Sequence, residues 1–238
     1  MNRRHGLAAS LVTLVALALC AGLAALYVEL FVGYGTEPMA PLPPDADVSS
    51  IMSAYAYAQA FVDRWKPGLQ LTAVYGHYRE DGQGRLVPSG EITYVFVGSR
   101  EDWLAPIARL MRVHVLEATV ILDVDRRMTT YFRPGHSDRS LWLDLRPSEW
   151  GISEGDLLQV VEDYGGIEFR GGNGDVDIVL EAEGRYWGDM WRETYYSGDG
   201  CLCLSIVIDL ESGEILKTEG DTCDYVTSSW QTVGYIAR

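Results

Sequence analysis

Basic residues are scarce in this chain: 19 Lys and Arg stand against 34 Asp and Glu, a formal net charge of −15. That balance excludes nucleic acid as a partner, because gripping a phosphate backbone needs clustered cations. The signatures of common chemistries are missing as well. There is no HExxH, no GxSxG, no Walker-type glycine loop and no CxxC. The histidines His5, His77, His114 and His136 are scattered. His136-Ser137-Asp138 sets triad residue types side by side after Arg133-Pro134-Gly135, but neighbours in a loop do not converge on one reacting atom. Gly171-Gly172-Asn173-Gly174-Asp175-Val176-Asp177 has Val176 where a calcium-binding repeat needs Asp and occurs once, so it reads as a turn. No catalytic residue, no cofactor and no metal is expected.

One thing the N-terminus does not lack is hydrophobicity. Residues 7–28, LAASLVTLVALALCAGLAALYV, run for 22 positions without a charge. A helix needs roughly 20 apolar residues to cross a bilayer. Arg3 and Arg4 precede the run and the next basic residue is Arg64, so the positive-inside rule keeps the N-terminus in the cytoplasm. The expectation is a bacterial signal-anchor in the inner membrane, with the remaining domains extracytoplasmic in the cell envelope. Two rivals share that export: a cleaved signal peptide ending near Ala21–Ala24, and a lipoprotein lipidated at Cys20 after Leu17-Ala18-Leu19. The expected divisions are a cytoplasmic flank (1–6), the transmembrane helix (7–33), a linker (34–50), and two folded units (51–147 and 148–238). Four of the nine prolines fall in 36–50, which makes the linker a semi-extended spacer.

The two units rhyme. The first opens on an apolar stripe of helical spacing, Ile51, Tyr55, Ala58, Val62 and Trp65, stopped by Lys66-Pro67-Gly68, and alternating segments follow. The second opens on Ser153-Glu154-Gly155-Asp156, a helix-capping pattern, and Gly165-Gly166 stops its helix. Strands follow over 175–183, 185–196, 202–210 and 214–219, with Asn173-Gly174 and Ser212-Gly213 as turns. Asp175, Asp177, Glu181 and Glu183 share a strand face, read as solvated or open to a basic partner. The predicted class is α+β: a single transmembrane helix, then two units of one helix on an antiparallel sheet.

The closing hairpin Ile208-Asp209-Leu210-Glu211-Ser212-Gly213-Glu214-Ile215, after a helix and a meander, resembles the end of a PepSY module. The match spans 153–219, with a weaker echo over 50–132 that lacks the Gly-Glu turn. Ser212 stands where the pattern has Thr. The resemblance implies an exported, non-catalytic helix-plus-sheet module that modulates a peptidase, and transfers no site residues. The functional expectation is thus a membrane-anchored protein that binds a protein or peptide. The alternative is an accessory subunit of a membrane complex, held through residues 7–28 in the lipid bilayer.

Exported thiols tend to pair. Folding the hairpin about Ser212-Gly213 sets Cys223 opposite Leu202, and a one-residue bulge brings it against a cysteine, so Cys203–Cys223 is expected ahead of Cys201–Cys223. Trp187, Asp189, Trp191, Glu193 and Tyr195 alternate onto one strand face. Charge among indoles is unusual for a buried face, which leaves two readings: aromatics packed under the C-terminal tail, or a candidate partner surface for a peptide or protein.

Overall fold

The computed structural model describes residues 2–27, 40–101, 104–111, 115–136, 145–185, 188–199 and 201–221. Its centre is one antiparallel sheet of nine strands, in the order β1-β5-β4-β3-β2-β6-β7-β8-β9. The strands are β1 (Ala40–Pro41), β2 (Gln70–Glu80), β3 (Leu86–Ser99), β4 (Val115–Asp123), β5 (Met128–His136), β6 (Val176–Arg185), β7 (Gly188–Ser197), β8 (Cys203–Asp209) and β9 (Ile215–Asp221). The helices are α1 (Asn2–Tyr27), α2 (Ile51–Trp65), α3 (Ala105–Leu110), α4 (Glu154–Val161) and α5 (Ile167–Asn173).

This corrects the expectation of two separate α+β units, because the described chain is largely β and forms a single sheet. Each half does supply a helix followed by a four-stranded meander. What joins them is the pairing of their first strands: β2 and β6 run antiparallel from Ala73↔Glu183 to Tyr78↔Ile178. The meanders then grow outward in opposite directions from that central pair. Both strands alternate apolar residues onto the same face, so joining them makes one continuous oily surface in place of two narrow ones.

The helices cover that surface. Ser50 caps α2, accepting from Ser53 N at 2.8 Å while Ser53 Oγ accepts from Ser50 N at 3.1 Å. Ile51, Ala54, Ala58 and Val62 form its buried stripe, and small residues at 54 and 58 let the helix lie close to the sheet. Gly76 on β2 completes the fit, since a Cβ there would meet Ile51 Cδ1 at 2.8 Å. Ser153 caps α4 in the same manner, accepting from Asp156 N at 3.2 Å. Leu157 and Val161 join the core that α2 also enters, together with Phe96, Leu180, Trp191, Ile206 and Ile208.

The turn between β8 and β9 shows why its sequence reads as it does. Asp209 Oδ1 accepts from the backbone of Glu211 at 3.1 Å and Ser212 at 2.7 Å, and from the Ser212 hydroxyl at 2.8 Å. Those bonds, Ser212 first, hold the Asp209 carboxyl below its ordinary range. Gly213 takes φ of 74°, which favours glycine.

The N-terminal segment needs a second correction. Among the described residues no helix is long and apolar enough to cross a membrane, which overturns the expected single-pass transmembrane anchor and the inner-membrane placement built on it. Side chains are described from Thr13 to Tyr27. Within them Leu14, Leu17, Leu19 and Leu23 are exposed, Cys20 is an exposed free thiol, and Leu26 packs against Leu104 and Ala108 of the α3 region.

The expected disulfide falls partly outside the described residues. No disulfide joins two described residues, and Cys201 is free and exposed. Cys203 is buried and is not a free thiol, while Cys223 lies outside the described residues. The expected bulge is present between Val207 and Ile208, setting Cys203 opposite Asp221.

Candidate functional site

Between α4 and α5 the helix does not run straight. Glu162–Gly166 is a kink between the two helices, turned at Gly165 with φ of 146°. Here the turn carries Glu162 onto the wall of a cavity of about 880 Å³. The opposite wall is the tip of the β2–β3 hairpin, from Glu80 to Leu86, and the floor takes Val176 and Ile178 from β6.

Arg170 of α5 sits in that wall, 14% exposed, and bridges Glu80 and Glu162 through its two terminal nitrogens. Its Nε is buried without a hydrogen-bond partner. One cation between two carboxylates leaves the bridge net negative, and exposed Asp175 on the cavity lining adds to that. Ile167 is 56% exposed beside it, an uncovered aliphatic contact.

Behind Glu162 the charge continues into the core. Tyr195 Oη lies 2.7 Å from Glu162 Oε1 and 2.7 Å from Glu193 Oε1. A phenol has one proton to give. It can donate to one of these oxygens, so the other must itself carry a hydrogen to make a bond at that distance. Glu162 is the carboxylate paired with the Arg170 guanidinium. Glu193 is fully buried, with only Tyr195 and the Trp191 indole, at 3.4 Å, bonded to it. The proton therefore resides on Glu193, which donates to Tyr195, which donates to Glu162. Burial pushes the Glu193 carboxyl up to about 8, with Glu162 and Glu154 adding repulsion against the pull of its hydrogen bonds. Burial and then Glu193 drive the Tyr195 phenol far above its ordinary range.

Gly166 makes this approach possible. A Cβ there would lie 2.6 Å from Glu162 Oε1 and 2.7 Å from Tyr195 Oη. Gly166→Ala is expected to cost about 1–3 kcal/mol by overpacking, read as a lower midpoint in denaturant unfolding. In a Tyr195→Phe background that cost should shrink, because the phenol oxygen at 2.7 Å is then gone and the ring carbon Cζ at 2.9 Å is left.

The residues expected to form a partner surface lie elsewhere. Trp191, Glu193 and Tyr195 are fully buried under α4 and α5, which corrects that expectation: the face carries a carboxyl because the carboxyl is neutral. Asp189 accepts from Arg146 N at 3.0 Å and from Trp150 Nε1 at 3.3 Å, and Trp187 lies outside the described residues. Glu181 and Glu183 are also buried, bonded by Arg192 at 2.9 Å and Tyr75 at 3.1 Å, so of the four carboxylates expected on a solvated face only Asp175 and Asp177 are exposed. His77 pairs with Asp177 at 3.1 Å, and the side chains of His5, His114 and His136 lie outside those described. Among the described residues no group of His, Cys, Asp and Glu is placed to hold a metal ion.

No family model matches the chain, and no curated protein matches it. Among solved structures it is similar to a "putative lipoprotein" from Clostridium difficile 630. The two share 11% identity with a TM-score of 0.45, over 74% of this chain and 97% of that one.

Sequence reasoning missed Glu80, Glu154, Glu162 and Arg170. One signal pointed to them: Arg170 is the only basic residue between Arg146 and Arg185, among ten acidic ones.

Proposed function

We propose that this chain is a non-catalytic binding protein that takes a segment of a peptide or protein partner into the cavity beside Arg170. The observation that carries the reading is the cavity itself. Its volume, about 880 Å³, falls within the few hundred to roughly 1,000 Å³ of ordinary ligand sites. Its lining mixes aliphatic surface (Leu158, Ile167, Ile178) with three acidic groups (Glu80, Glu162, Asp175) and two basic ones (Arg85, Arg170), and holds no Ser, Cys, His or Lys that would serve as a nucleophile. The negative balance of the wall, in a chain of net charge −15, favours a segment with a basic residue beside an apolar one. A peptidase is the partner class that the PepSY resemblance implies.

The test is selection from a random peptide library displayed against the folded chain. Peptides with adjacent basic and apolar residues should be enriched. Ile167→Asp should weaken them at least about tenfold, the effect of losing one central apolar anchor. Leu216→Asp is the control, since Leu216 is similarly exposed, at 51%, on β9 and does not line the cavity. Peptides indifferent to Ile167→Asp, or equally weakened by both changes, would refute the cavity as the binding site.

A further inference from the structure

We propose that the cavity is proton-gated: loss of the proton shared along Glu193, Tyr195 and Glu162 releases the kinked turn between α4 and α5 that forms the cavity wall. The inference rests on the cavity being the binding site, and concerns how that site is regulated.

The geometry sets up a conflict that only the proton resolves. With Glu193 neutral, the chain of donors runs in one direction, Glu193 to Tyr195 to Glu162, and every oxygen is satisfied. With Glu193 ionised, two carboxylates compete for a single hydroxyl, each 2.7 Å away. One has to withdraw. Glu193 cannot, because β7 is paired along its length with β6 and β8, where Leu180 and Ile206 stand opposite it. Glu162 can, because it sits on a turn that ends in Gly165 and Gly166. Its withdrawal carries the Arg170 bridge to Glu80 with it, and that bridge is the cavity wall.

No neighbour offers relief. The ionisable groups facing Glu193 are Tyr195 on its own strand, Glu154 from α4, Glu162 from the turn and Tyr78 from β2. Each is an acid, and the Trp191 indole is the remaining donor. Arg170 of α5 is the one cation in the chain of contacts, and it reaches Glu162 and Glu80 rather than Glu193.

The experiment uses the ligand-free chain, so its failure leaves peptide binding in the cavity untouched. Amide hydrogen exchange is followed from pH 5 to 9 and corrected for the intrinsic pH dependence of exchange. In the wild type, opening of the 162–172 segment should rise about tenfold per pH unit until Glu193 titrates, then level off. The slope should vanish in Glu193→Gln. In Glu162→Gln it should also vanish, while the carboxylic-acid carbonyl band of Glu193 in the infrared still disappears on raising the pH. A flat wild-type profile, a slope that survives either substitution, or a wild type without that infrared band at pH 6 overturns the proposal. The last measurement needs no variant to fold.

Discussion

Glu193→Gln should flatten the dependence of stability on pH and make the chain more stable than wild type at pH 9. Folding takes the Glu193 carboxyl from an ordinary value of 4.5 up to about 8. A group whose pKa rises on folding binds more protons folded than unfolded. Its contribution is fully present below the unfolded value and is lost as pH climbs through the folded one. Over that window wild-type stability should fall by up to about 1.4 kcal/mol per pH unit, roughly 5 kcal/mol in all. Gln keeps the shape of the side chain, and its amide donates to Tyr195 where the acid proton did. The two proteins should therefore lie within about 1 kcal/mol of each other at pH 5 and diverge steadily above it. Urea unfolding at each half unit from pH 5 to 9 measures this. Parallel curves for the two would show that Glu193 is not the group that holds the proton.

The same residue marks a limit of sequence reading. Trp191, Glu193 and Tyr195 alternate on β7, and the alternation is legible. The sign of the face is not, because Glu counts as a charge until its surroundings are known. What neutralises it is a phenol two residues away and a carboxylate on another element, and no periodicity reports that. Local features read well for the opposite reason. The stripe of α2, the caps at Ser50 and Ser153 and the turn at Ser212-Gly213 are each set by residues a few positions apart. The single sheet is not local. It depends on β2 meeting β6 about a hundred residues later, and two free edges or one shared ladder leave the same mark on each strand's sequence. Arg170 was visible as an isolated cation, yet its partners Glu80 and Glu162 come from a hairpin tip and a helix turn that only the fold brings together.

The other large effect should come from Glu154, which ties the two halves at their helix starts. It is the first residue of α4, yet its carboxylate caps α2, accepting from Ile51 N and Met52 N at 2.9 Å each. Tyr78 of β2 donates to it at 2.7 Å, and Tyr94 of β3 closes the cluster by donating to Ile51 O at 2.6 Å. Burial pushes this carboxyl up, and the bonds from Met52, Tyr78 and Ile51 draw it back. Every group bonded to it here is a donor, and two helix N-termini favour a negative charge at that point. Glu154→Ala would orphan two backbone N–H groups and a buried hydroxyl, with an expected loss of about 3–5 kcal/mol. Glu154→Gln keeps the volume and one acceptor but turns an amide N–H toward a backbone N–H, for about 1–3 kcal/mol. Ser153→Ala removes an ordinary exposed cap from the adjacent position and should cost about 1 kcal/mol. Denaturant unfolding of the three variants should give that order, with faster amide exchange at Ile51 and Met52 in the two Glu154 variants alone. Should Glu154→Ala cost no more than Ser153→Ala, the halves are held by the β2–β6 ladder and the shared core, and the carboxylate between their helices is incidental.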